Sequence, residues 1–208
     1  MERKGIPMMT KHAIQVSAIV AVCLATPAWS FAEPATYVVR GDGKSHATFV
    51  SDAPLDTMVG KTAKVTGTLI VDPEDISKTK GSFKVPVVSL RTGNDLRDEH
   101  LRGDGWLDAK KYPHIEFEIT EVVLGKKDPK ALKKNKDTKV QVKGKFTAHG
   151  VTKLVTTQGT VRWRDDALRI KAKFNTNLED HDISVPTIVR LKIANEMQVS
   201  VDLVAVPQ

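Results

Sequence analysis

Five of the six histidines, His46, His100, His114, His149 and His181, lie on separate stretches of the chain. None stands at a His-x-x-x-His or similar spacing, and zinc sites draw their ligands from such tight pairs. The pattern argues against a metal centre. His149, beside Gly150, suits a residue that orients a turn, and His100 suits a helix surface. The neighbouring carboxylates Asp165 and Asp166 fall between two strand-like runs, in a turn. An acid/base pair there would lack the desolvation that tunes carboxylates for catalysis. Gly41-Asp42-Gly43-Lys44 is glycine-rich but lacks the rest of a phosphate loop, and reads as a hairpin turn. No nucleophile elbow, nucleotide loop or dinucleotide fingerprint is present. These residues point to a protein that is not an enzyme and carries no cofactor motif.

The more informative chemistry is apolar. Leu69, Phe117, Ile119, Val142, Phe146, Val161, Trp163, Ile170 and Phe174 all fall on one side of alternating runs. Such residues either pack on one another as a solid core or line a long cavity for an apolar guest. Trp106 and Tyr112 combine an apolar body with a polar tip. They could frame a cavity mouth, or Trp106 could plug it. In Arg97-Asp98-Glu99, Arg97 offers a donor for a polar headgroup; the alternative is a set of surface ion pairs, which are worth little.

The net charge of +7 is mild but uneven. Lys126, Lys127, Lys130, Lys133, Lys134, Lys136 and Lys139 crowd into one stretch. This stretch reads first as a solvated hairpin loop, partly helical through Ala131-Leu132. A second reading is transient contact with an anionic membrane, at about 1 kcal/mol per basic residue near such a surface. Nucleic acid is disfavoured, because no aromatic residues are interleaved for stacking.

The elements that must hold these residues have a period of two. Val65, Gly67, Leu69 and Val71 alternate with Thr66, Thr68 and Ile70. The same pattern runs through Ile115–Ile119, Val140–Phe146, Val161–Trp163, Leu168–Phe174 and Met197–Leu203, with shorter runs at 37–40, 44–50 and 82–90. Alternation gives each strand one buried and one wet face, the mark of antiparallel sheets. His149-Gly150-Val151-Thr152 and Asp165-Asp166 read as hairpin connections. About eight such strands can form a sandwich or close into a barrel, and closure removes the unpaired edges. An eight-stranded barrel is just wide enough for side chains or one ligand. Between Thr92 and Pro113 the alternation stops. Asn94 and Asp95 suit a helix start and Gly103 a stop, which predicts a short helix crossing one barrel end.

The first 32 residues read as a secretory signal peptide. Arg3, Lys4 and Lys11 precede the apolar run Ala13–Ala25, and Ser30-Phe31-Ala32 places small residues where cleavage is expected. The run is shorter than the ~20 apolar residues of a spanning helix. Residues 33–208 would then form the mature barrel, periplasmic or secreted. The single cysteine, Cys23, lies in the leader, so disulfides and cysteine metal sites are not available to the mature part.

Three blocks carry a family resemblance. Thr92-Gly93-Asn94-Asp95-Leu96-Arg97-Asp98-Glu99-His100-Leu101, followed by Trp106-Leu107-Asp108-Ala109-Lys110-Lys111-Tyr112-Pro113 and Ile115-Glu116-Phe117, resembles the central signature of the YceI-like family. Gly144-Lys145-Phe146-Thr147-Ala148-His149-Gly150-Val151-Thr152-Lys153 is similar to its second signature, and Glu196–Ala205 to its closing strand. Leu154 stands where the family usually has proline, and Gly105-Trp106 where it often has an aromatic pair. The resemblance implies an all-β, lipocalin-like barrel that encloses a polyisoprenoid chain or isoprenoid quinone and is not an enzyme. The expected ligand contacts are Leu69, Arg97, Leu101, Trp106, Phe117, Ile119, Val142, Phe146, Trp163, Ile170 and Phe174. The competing reading is a basic docking module: a barrel filled by its own side chains, with Lys126–Lys139 binding an anionic membrane or polymer.

Overall fold

The computed structural model describes Met1 and residues 33–126 and 128–208. The expected signal segment, past Met1, and Lys127 lie outside the described residues. Among the described residues ten strands occur: β1 Ala35–Arg40, β2 His46–Ala53, β3 Asp56–Thr62, β4 Thr66–Val71, β5 Lys80–Pro86, β6 His114–Val123, β7 Asp137–Ala148, β8 Val151–Arg164, β9 Ala167–Asn177 and β10 Glu196–Pro207. Every pairing between them is antiparallel.

These ten segments make an eight-stranded barrel, because two of its strands are broken in the middle. β1 and β2 both run along β10 in the same direction, and β4 and β3 pair with them in turn. The first break, at Gly41–Ser45, has Gly41 and Gly43 at φ 65° and 92°, which glycine adopts without strain. Ser45 fills the gap in the ladder, its Oγ accepting from Val204 N at 3.0 Å. The pairing of β1 with β10 then closes the ring.

The short connections follow from turn chemistry. His149 and Gly150 have φ of 50° and 75°, and Asp165 and Asp166 have 50° and 61°. Two consecutive residues at positive φ are the type I′ geometry that matches the twist of hairpin strands. In β6 the register slips between Ile119 and Glu121, leaving Thr120 as a bulge whose hydroxyl donates to Lys143 O at 2.9 Å. The inward series therefore passes from Ile119 to Val122.

The two barrel ends are closed differently. At one, the β6–β7 loop is stitched to the turn after β4: Ile76 N donates to Lys130 O and Leu132 N to Pro73 O. Ile76 and Leu132 are buried members of the main core, with Leu69, Val140, Leu168 and Leu203. Among its described residues the Lys-rich stretch is an irregular loop without helix up to Lys136, and Lys139 already lies in β7; Leu132 anchors the loop inward while most of the lysines stay exposed. At the other end lies the helix α1, Asp95–Arg102, with Asn94 Oδ1 accepting from Arg97 N at 3.0 Å as N-cap. Here Val87, Leu90, Leu107 and Ile183 form a second, separate core, against which Leu101 and Trp106 pack.

An apolar lumen as candidate functional site

Inward side chains from all around the ring face a common interior. Leu69 comes from β4, Phe117 and Ile119 from β6, Val142 and Phe146 from β7, Ile170 and Phe174 from β9. They do not meet in the middle. The space between them includes about 190 Å³ that can hold the centre of a water-sized molecule. A close-packed core leaves few voids beyond the roughly 10–15 Å³ that one water needs by this measure. The barrel is therefore not filled by its own side chains, which corrects that part of the docking-module reading.

Small residues keep the lumen open. Phe83 lies over Gly67, Phe117 over Gly144 and Phe49 over Gly60, each so close that a Cβ on the glycine would collide with the ring. Rings laid flat on the wall leave the axis clear. Ala172, between Gly159 on β8 and Val201 on β10, makes a further hollow in the wall. The lining is almost wholly hydrocarbon. Glu116 and Lys171 border it through their strands, but their charges pair outside with Lys84 at 2.9 Å and Asp202 at 3.7 Å. Thr157, buried at mid-strand, supplies a hydroxyl to the wall.

Four expected contacts lie elsewhere. Arg97 is on the outer side of α1, its Nε donating to Thr92 Oγ1 at 3.0 Å and its Nη2 to Thr92 O at 3.1 Å. Those bonds and an ion pair to Asp56 at 3.7 Å hold α1 to its surroundings and away from the lumen. Leu101 and Trp106 belong to the second core, so Trp106 plugs the helix end instead of framing an opening. Trp163 packs at the opposite end beneath Lys134, whose Nζ is 5.2 Å from its ring.

Two positioning residues escaped the sequence reading. Asp98 is buried, accepts from Thr92 N at 2.7 Å and Thr92 Oγ1 at 2.6 Å, and has Arg102 and Arg91 each at 3.9 Å. Burial alone would push its carboxyl up; the Thr92 bonds and the two guanidiniums outweigh that and hold it below the usual carboxylate range. His181, 2% exposed, donates through Nδ1 to Val151 O and meets Thr176 Oγ1 through Nε2, both at 3.0 Å, edge-on to Phe146. His149 Nδ1 in turn donates to His181 O at 3.0 Å. This pair locks the β7–β8 hairpin to the β9–β10 crossing. His181 lies in no short motif, and within its motif Asp98 looks like one more helix charge; only the fold shows which partners each one holds.

Among the described residues no helix is long and apolar enough to cross a membrane, and no group of three His, Cys, Asp or Glu could hold a metal ion. Comparison with known proteins agrees with the barrel. A UPF0312 protein of Vibrio parahaemolyticus is 28% identical over 163 residues, 74% of this chain and 80% of its own length. One from Yersinia pestis is 32% identical over 124 residues, 57% of this chain and 59% of the relative. Burkholderia cenocepacia BcnA superposes with a TM-score of 0.69 at 21% identity, covering 80% of this chain and 98% of that one. A structure described as a polyisoprenoid binding domain from Saccharophagus degradans gives 0.64 at 18% identity, covering 85% and 100%. At these identities the superpositions speak to fold alone. The model of the YceI-like domain matches residues 37–205, from the first strand of the closed barrel to the last, and the chain belongs to that family.

Proposed function

We propose that this protein is exported and carries a long isoprenoid lipid, a polyprenyl chain or an isoprenoid quinone, in the barrel interior, without catalysing a reaction on it. The observation that supports this best is the open, nearly pure hydrocarbon lumen. Such a cavity has little to offer a polar guest and much to offer a flexible aliphatic one. Each buried methylene-sized group gains roughly 0.8 kcal/mol, so a chain of several isoprene units binds without hydrogen bonds. The likeness to a fold whose Saccharophagus member is described as polyisoprenoid binding favours this ligand class. Leu69, Phe117, Ile119, Val142, Phe146, Ile170 and Phe174 would contact the tail, and the head would lie at the α1 end. Export, to the periplasm or beyond, rests on the leader pattern of residues 1–32.

The test is chemical. Protein purified from its natural producer is extracted with organic solvent and the extract analysed by mass spectrometry. A prenyl species near one per chain is expected. An extract free of lipid, from protein that also fails to take up added prenols, would refute the proposal.

A further inference from the structure

Both ends of the lumen are capped, one by Ile76 and Leu132 and the other by the second core with Trp106. A guest as long as a polyprenyl tail needs another way in, and one seam of the wall lacks its ladder. We infer that the lipid passes sideways through the wall, between Leu154–Thr157 of β8 and Phe174–Asn177 of β9. This rests on the lipid-carrier reading and adds to it the route of loading.

The ladder between β8 and β9 starts at Arg164↔Ala167 and stops at Gln158↔Lys173. Both strands run on past that point. β8 stays paired to β7 down to Val151, and β9 to β10 as far as Asn177. Each keeps its outer neighbour and loses the one across the seam. Two other interruptions of the ring are filled: Ser45 bonds into the gap beside β10, and the turn of Ile76 packs along the end of β6. Between β8 and β9 there is a groove instead, bordered by Val155, Thr156, Asn175 and Thr176. Val155 and Thr176 hold inward positions of their strands and Thr156 and Asn175 outward ones, so the groove cuts into the thickness of the wall. On the inner side Thr157 and Phe174, the adjoining residues of the same two strands, line the lumen. Groove and lumen thus approach one short stretch of wall from opposite sides.

Side chains close that stretch. His181 spans it, with Nδ1 donating to Val151 O on β8 and Nε2 meeting Thr176 Oγ1 on β9, both at 3.0 Å. Behind it the Phe146 ring lies edge-on to His181 at 5.2 Å and to Phe174 at 5.0 Å. Two hydrogen bonds and three ring edges stand where Leu154–Thr157 and Phe174–Asn177 would otherwise continue the register. A structure opens locally where few backbone hydrogen bonds must break, and turning a side chain aside is faster than parting a ladder. Parting β7 from β8 would break pairing that is continuous from Asp137 to Ala148. The outer rim carries Lys153, Asn177 and Asp180, so a polar head stays hydrated there while the tail passes inward.

The experiment uses the unit Ala32–Gln208, which closes its barrel and cores within itself and contains no cysteine. Thr156→Cys with Asn175→Cys puts one thiol on each lip of the seam, and a short bis-maleimide straps them together. Lys173→Cys with Ser200→Cys, strapped in the same way, crosses the paired β9–β10 ladder as the control. The rate at which lipid-free protein takes up radiolabelled geranylgeraniol from detergent micelles is measured before and after strapping, with circular dichroism as the check on folding. Strapping the seam should slow uptake about tenfold or more, because the remaining routes have higher barriers. Strapping the control should leave the rate unchanged. Thr176→Val removes one of the two His181 bonds and should load faster. The inference is overturned if the strapped seam loads at the unstrapped rate, if the control slows as much, or if folded Thr176→Val loads no faster. Unmodified protein that takes up no geranylgeraniol at all would remove the carrier reading, and the route with it.

Discussion

Ala172→Phe separates a hollow barrel from a solid one by the sign of its effect. Ala172 sits near the middle of β9, lines the lumen, and has Gly159 and Val201 as cross-strand neighbours. A benzene ring fills an engineered apolar cavity of about 150 Å³. The lumen has about 190 Å³ by the comparable measure, so one added phenyl ring occupies most of it. In a solid core that ring would be overpacked, at a cost of about 1–3 kcal/mol. For a chain of this size such a loss lowers Tm by about 2–12 °C. In the hollow barrel the ring enters empty space and buries apolar surface, so Tm of the lipid-free protein should hold or rise. Lipid uptake should collapse, because a tail stopped at mid-barrel loses the burial of every carbon beyond the block. Each carbon so excluded forfeits roughly 0.8 kcal/mol of transfer free energy. Calorimetry of lipid-free protein and micelle uptake on the same sample form the assay. A lowered Tm with unchanged uptake would refute the reasoning.

Other substitutions test the surrounding architecture. Gly144→Ala should drive the Phe117 ring off the wall into the lumen, weakening lipid uptake and costing about 1–3 kcal/mol in urea unfolding. His181→Ala leaves Val151 O and Thr176 Oγ1 without their partner; two orphaned buried groups predict a loss of about 2–6 kcal/mol by urea unfolding. Asp98→Ala removes the acceptor of both Thr92 bonds and should loosen the α1 cap, seen as faster amide exchange there than in β7. The Asp98 carboxyl is depressed in the folded state, so its stabilisation is complete above the ordinary carboxylate pKa of about 3.9 and fades as pH falls through its lowered value. Asp98→Asn should flatten that part of the acid-unfolding curve.

The barrel was legible because its inward residues are large and strictly alternate, as in Leu168, Ile170 and Phe174. β3 was harder to read: its inward positions are Met58, Gly60 and Thr62, and two of those carry no apolar signal. The reason Gly60 stands there, the Phe49 ring across the strand pair, is visible only once β2 and β3 are registered. Parity placed Leu69, Phe117, Ile119, Val142, Phe146, Ile170 and Phe174 on the inner wall. It does not say how far along the barrel a residue lies, so Trp163, correctly inward, turned out to pack at the basic end and not against the lumen. Arg97, Leu101 and Trp106 came from the helix segment, where no period of two operates. Whether inward side chains meet or leave a void depends on sums of volumes around a ring, a quantity no local pattern encodes.

The most direct test of the carrier account is the affinity of the lipid-free protein for prenols of increasing length, measured by titration calorimetry. At about 0.3 kcal/mol per atom, typical of ligands this large, each five-carbon unit should add about 1.5 kcal/mol, close to tenfold in Kd. The gain should continue until the lumen is full and then level off, at one lipid per chain. Affinity that does not change with the number of units would contradict a tail held along the barrel axis.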